Sequence, residues 1–148
     1  MNRNDATTQR EGMGETLEGL AANVLDCAFS VHRGLGPGLL ESVYEACLCH
    51  ELSKRGILHH RQLVLPVHYD GVVVDAGLRL DVLVGNSLVV ELKAIEALAP
   101  IHTAQVLTYL KLTGHSLGLL INFNVPLLRD GIRRVVISKN HNKAVISA

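Results

Sequence analysis

Asp81, Glu91 and Lys93 are the residues of this chain whose types and spacing point most directly to chemistry. Alternate residues of a strand share a face, so in Val89-Val90-Glu91-Leu92-Lys93 the two charged side chains point one way and Val90 and Leu92 the other. A three-residue turn on Gly85-Asn86-Ser87 folds this strand back on the one carrying Asp81 and sets Asp81 opposite Glu91. A two-residue Gly85-Asn86 turn would slip the pairing by one and set Asp81 against Val90. The longer turn is favoured because it keeps the charges of both strands on one face. Opposed side chains lie about 5 Å apart, and two carboxylates at that distance repel unless something positive sits between them. A divalent cation with a lysine beside it meets that need. The plain alternative is an ion-paired cluster in which Arg79 and Lys93 neutralise the two acids.

Two further polar patterns lie on helices. His102, Gln105 and Tyr109, three and four apart, form one stripe on an otherwise apolar helix. The amide and the phenol both donate and accept hydrogen bonds, which suits orienting a phosphate or a water; a solvent-facing stripe is the plain reading. Glu41 and Tyr44 share a face at the start of another helix, where a carboxylate complements the helix dipole without any further role.

The elements that must position these residues follow from periodicity. Leu17, Leu20, Ala21, Val24, Leu25, Ala28 and Val31 predict a helix from Glu15 to about His32, broken by Gly34-Leu35-Gly36-Pro37-Gly38. A second helix is expected from about Leu39 to Arg55, with Leu40, Val43, Ala46, Cys47 and Leu52 as its apolar stripe. Strands are expected at Leu63–Tyr69, at Val72–Val84 with a kink at Gly77, and at Leu88–Ile95. Pro100 opens a helix to about Leu112, and strands follow at Leu117–Phe123 and Ile132–Ser138. The order is ααβββαββ. The strand–helix–strand unit from 88 to 123 implies a parallel pair, so the fold class is α/β (α+β), a mixed central sheet flanked by helices.

The 148 residues fit one domain over 15–140, with a disordered N-terminal tail at 1–14 and a C-terminal tail at 141–148. With 14 Lys plus Arg against 14 Asp plus Glu, no global attraction for nucleic acid exists, and any such contact needs a local basic patch. Cys27, Cys47 and Cys49 lack CxxC or paired-histidine spacing, which argues against a disulfide framework or closed zinc site and for reduced thiols in the cytoplasm. Residues 1–14 do not read as a signal peptide, and no apolar run approaches the roughly 20 residues that span a bilayer.

Taken together the motifs resemble a known family. Gly38, Glu41 and Tyr44 match the signature of the small bacterial GxxExxY family. Asp81, Glu91 and Lys93 match the D…ExK core of the PD-(D/E)XK nuclease superfamily, and Gln105 and Tyr109 match the QxxxY motif of its RecB-like members. Leu80 stands where the superfamily name has proline, and the four cysteines of iron–sulfur relatives are absent, so no cluster is expected. The resemblance implies a restriction-endonuclease-like core and a metal-dependent nuclease acting on DNA rather than RNA. It assigns Mg²⁺ or Mn²⁺ to Asp81, Glu91 and the Leu92 backbone carbonyl, with Glu41 near the metal, and gives Lys93 the attacking water. Gln105 and Tyr109 would orient substrate, with Tyr44, His102, Lys111, Arg133 and Arg134 as weaker substrate contacts. A catalytically silent binding or assembly module, homo-oligomeric, is the competing expectation.

Overall fold

The computed structural model describes residues 15–138 and 144–147, so the expected tail at 1–14 lies outside the described residues. Thr16 opens the first helix, its hydroxyl accepting the Gly19 N–H at 2.9 Å. Helix α1 (Leu17–Leu35) buries Leu20, Ala21, Val24, Cys27, Ala28 and Val31, close to the expected stripe.

Helix α2 (Glu41–Lys54) corrects the expectation for its face. It buries Tyr44, Glu45, Leu48, Cys49 and Leu52, whereas Leu40 is 74% exposed and Val43 and Ala46 face solvent. The cause is Tyr44. Its ring stacks on Phe123 with centroids 4.6 Å apart, its hydroxyl donates to the Gly36 carbonyl at 2.6 Å, and it accepts the Leu39 N–H at 3.2 Å. A large ring with its polar end satisfied gains more from burial than two small aliphatic side chains.

Six strands form one sheet in chain order: β1 (His59–Tyr69), β2 (Val72–Val84), β3 (Leu88–Lys93), β4 (Leu117–Asn122), β5 (Ile132–Ile137) and β6 (Ala144–Ser147). Neighbours are antiparallel except β3 and β4, a parallel pair joined by helix α3 (Pro100–Thr113). The β1–β2 pairing shifts register between Leu65 and Val67, opposite the expected kink at Gly77. Two boundaries differ from expectation. Strand β1 starts at His59 rather than Leu63, because His59, His60 and Arg61 pair with Val84, Leu83 and Val82, a long-range match that a polar run does not announce. Ala144–Ser147, expected within a tail, pairs with β5, whose outer edge it completes.

Helices α1 and α2 pack on one face of the sheet, against Val82, Val84, Leu88, Val90, Leu92, Leu119 and Ile121. Helix α3 packs on the other, its Val106, Tyr109 and Leu110 meeting Leu83, Val89, Leu120 and Val135. Every residue of β4 is buried, and every residue of β3 but Lys93. Fully burying each Val or Leu is worth about 1.5–3 kcal/mol, enough for the central strands to carry a few charged groups against their preference for water.

Candidate active site

The β2–β3 hairpin has the expected register: Val82 faces Val90, Leu83 faces Val89 and Val84 faces Leu88, with Gly85-Asn86-Ser87 between them. Gly85 and Asn86 have φ of 60° and 58°, and the Ser87 N–H donates to the Val84 carbonyl at 3.1 Å. Glycine is required at 85 for two reasons, the positive φ and the Leu20 methyl that would lie 2.7 Å from any Cβ there.

One step further along the hairpin the backbone ladder gives way to side chains. The Asp81 N–H donates to Glu91 Oε1 at 3.2 Å, and the Leu92 N–H donates to Asp81 Oδ2 at 2.9 Å. Each carboxylate therefore takes the place of a backbone acceptor on the facing strand. Glu91 is only 2% exposed and Asp81 half-buried. Lys93 Nζ lies 3.8 Å from Glu91 Oε2. Among the described residues neither acid is ion-paired with an arginine, and exposed Arg79 faces Val64 instead. The charge-neutralising cluster of Arg79 and Lys93 is thus not what forms.

Burial, then the neighbouring Asp81 charge, pushes the Glu91 carboxyl up to about 8. Burial also raises Asp81, against the Leu92 N–H that favours its ionised form. Lys93, 3.8 Å from Glu91 Oε2, is the one cation ion-paired to either acid among the described residues.

Helix α3 brings Gln105 and Tyr109 to the same place. Gln105 Nε2 donates to the Tyr109 hydroxyl at 3.0 Å, and Tyr109 is raised by burial, then by the charge of Glu91, with Asp81 adding to it. Helix α2 brings Glu41, whose carboxyl is raised by burial, then by Asp81, and lowered by Lys93. So Asp81, Glu91, Lys93, Glu41, Gln105 and Tyr109 converge, from two strands and two helices.

Other expected contacts do not join them. Tyr44 is fully buried and holds the Gly36 and Leu39 backbone, beside Gly38, whose N–H donates to Asn124 Oδ1 at 3.0 Å. Its role is to shape the loop that delivers Glu41. His102 accepts the Ala99 N–H through Nδ1 at 2.8 Å and so caps α3. Arg134 bonds Glu18 of α1, because even-numbered positions of β5 face the α1 side of the sheet. Arg133 donates to the Asp130 and Ile132 carbonyls and lines a cavity with Pro100, Thr103, Ala104 and Leu107. Lys111 lines another with His115, Ser116 and Ser138. At 100° per residue, both cavities lie along a flank of α3 away from Gln105 and Tyr109.

Three residues of the site escaped the sequence reading. Asn122, 1% exposed, accepts the Ile95 N–H at 3.0 Å and donates to the Ile95 carbonyl at 2.9 Å, fixing the chain just past Lys93. Glu45, 7% exposed, accepts from Arg61 Nη2 at 2.9 Å and Gln62 Nε2 at 2.6 Å. Gln62 itself lies 3.5 Å from Asp81 Oδ1. The signals available were a polar residue closing an apolar strand, for Asn122, and a second glutamate one helical turn after Glu41, for Glu45.

The residues fit a hard divalent cation. Among the described residues no group of three or more His, Cys, Asp or Glu is placed to hold a metal ion by itself. Two carboxylates with open positions are what Mg²⁺ takes, since it keeps several waters and shares its shell with phosphate oxygens.

A mixed sheet between helices, with two acids and a lysine on the central hairpin and a glutamine–tyrosine pair above them, defines a restriction-endonuclease-like α+β fold. Comparison with protein-family models matches residues 18–135 to the PD-(D/E)XK nuclease superfamily, and the chain belongs to it. No curated protein and no solved structure matches the chain significantly. No helix of the described residues is long and apolar enough to cross a membrane.

Proposed function

We propose that this protein is a metal-dependent nuclease that hydrolyses phosphodiester bonds of DNA in preference to RNA. The observation that carries the proposal is the facing pair Asp81, half-buried, and Glu91, buried, both raised by burial and Glu91 further by the charge of Asp81, with Lys93 beside them. Asp81, Glu91 and the Leu92 carbonyl would hold Mg²⁺ or Mn²⁺, with Glu41 reaching the ion through water or holding a second one. A bound ion would acidify the attacking water and offset the charge that builds on the phosphate. Lys93 donates hydrogen bonds to that water and steadies the developing charge. The Gln105 amide, already bonded to the Tyr109 hydroxyl, orients the scissile phosphate with it. The three free thiols suit the reducing cytoplasm.

Incubation with single- and double-stranded DNA and RNA, with and without Mn²⁺, tests the proposal. Cleavage is expected in Mn²⁺ and is lost in Glu91→Gln. A Glu91→Gln protein that cuts as well as the parent would falsify it.

One observation favours a second reading, a nuclease-fold assembly module without turnover. Tyr69, Val72, Val73 and Val74 are 74%, 57%, 61% and 40% exposed at the end of the β1–β2 hairpin, an apolar tip that a second copy would cover. Sedimentation showing a dimer that binds no metal would favour this reading.

A further inference from the structure

Among the described residues, Gln62 is one of three non-glycine residues with positive φ, the others being Asp70 and Asn86. Asp70 and Asn86 sit in hairpin turns, where such backbone is ordinary. Gln62 lies inside strand β1 with φ of 51°, a left-handed conformation that a glutamine adopts only at a cost in strain. Its neighbours Arg61 and Leu63 pair with Val82 and Leu80, so Gln62 stands at the register position facing Asp81. The amide nitrogen uses this bend. Nε2 donates to Glu45 Oε1 at 2.6 Å and lies 3.5 Å from Asp81 Oδ1, the long member of the pair. Glu45 is in turn bonded by Arg61 Nη2 at 2.9 Å.

The geometry points to Gln62 as a positioning residue for Asp81, its amide bridging Glu45 on α2 to Asp81 on β2. The inference rests on the reading of Asp81 as a cation-binding carboxylate. The bridge does two things. It fixes one Asp81 oxygen toward β1, while the Leu92 N–H fixes the other, so the carboxylate plane is set before any ion arrives. It also inserts a neutral donor between Glu45 and Asp81, which would otherwise face each other as two anions. Arg61 could not serve, because an arginine there would neutralise Asp81 and compete with the ion. The charge is instead spent on Glu45, one step removed.

Two substitutions separate this role from a structural one. Gln62→Gly keeps the left-handed backbone without strain and removes the amide. Gln62→Asn also tolerates positive φ and keeps the amide, but is one methylene too short to span Glu45 and Asp81. Titration with Mn²⁺ alone, followed by calorimetry, is the first readout, and the split between kcat and KM on a DNA oligonucleotide the second. Both variants are expected to fold, to bind Mn²⁺ about tenfold more weakly and to lose kcat with little change in KM. Parental Mn²⁺ affinity and kcat in folded Gln62→Asn would overturn the inference, as would a parent that binds no Mn²⁺. A parent that binds Mn²⁺ but cuts nothing removes the nuclease reading alone, and the affinity ratio still decides the role of Gln62.

Discussion

Replacing Glu91 by glutamine should make the metal-free protein more stable, and increasingly so as pH rises. Glu91 is buried against Asp81, so its folded-state carboxyl sits at about 8 instead of the ordinary 4.5. A carboxyl raised on folding contributes stability that is fully present below about pH 4.5 and is lost as pH climbs through about 8. The interval corresponds to roughly 5 kcal/mol at about 1.4 kcal/mol per pH unit. Asp81 carries part of that interaction, so about 2–5 kcal/mol should appear when the Glu91 charge is removed. Glutamine keeps an acceptor for the Asp81 N–H and gains N–H groups to face the Asp81 carboxylate. At roughly 3 °C per kcal/mol, Glu91→Gln should melt within a few degrees of the parent at pH 5 and about 6–15 °C above it at pH 9. The assay is thermal unfolding of both proteins in chelator across that range, read as their difference so that other titrating groups cancel. Adding Mn²⁺ at a hundred times its dissociation constant should then raise the parent alone, by about 2.7 kcal/mol. A difference that stays flat from pH 5 to 9 would refute the argument, because it would mean that Glu91 is ionised and satisfied throughout.

Lys93→Ala should retain the fold and Mn²⁺ binding, and lose about 10²- to 10⁴-fold in kcat, measured by single-turnover cleavage. Tyr44→Phe keeps the stack on Phe123 but strands the Gly36 carbonyl and the Leu39 N–H, so urea unfolding should show a loss of about 1–3 kcal/mol. Its Mn²⁺ affinity should fall only as far as the Glu41 loop loosens. Gly85→Ala places a methyl group 2.7 Å from Leu20 Cδ1 at a φ of 60°, and should cost about 2–4 kcal/mol in the same measurement. An unfolding midpoint equal to the parent's in either variant would contradict the packing described above.

The β2–β3 hairpin was legible because its information is local. Alternation set which side chains share a face and favoured the three-residue Gly85-Asn86-Ser87 turn, the one whose register sets Asp81 against Glu91. Gln105 and Tyr109 were legible for the same reason, being one helical turn apart. Arg133 and Arg134 show where such reasoning stops. Adjacent in sequence, they leave opposite faces of β5, and Arg134 bonds to Glu18, 116 positions away. Helix α2 shows it again: the apolar stripe expected from Leu40, Val43 and Ala46 is exposed, and the stack of Tyr44 on Phe123 turns a different face inward.

By itself the sequence determined the element order as far as β5 and the acids with their lysine on one hairpin, consequences of periods of 2 and 3.6 residues and of turn chemistry. Only the tertiary structure decided that Glu45 and Gln62 reach Asp81, that Asn122 holds Ile95, and that the last apolar residues pair with β5. Those contacts join distant segments through specific hydrogen-bond lengths. No local period encodes them, because they exist only once the hydrophobic faces of the sheet have been covered.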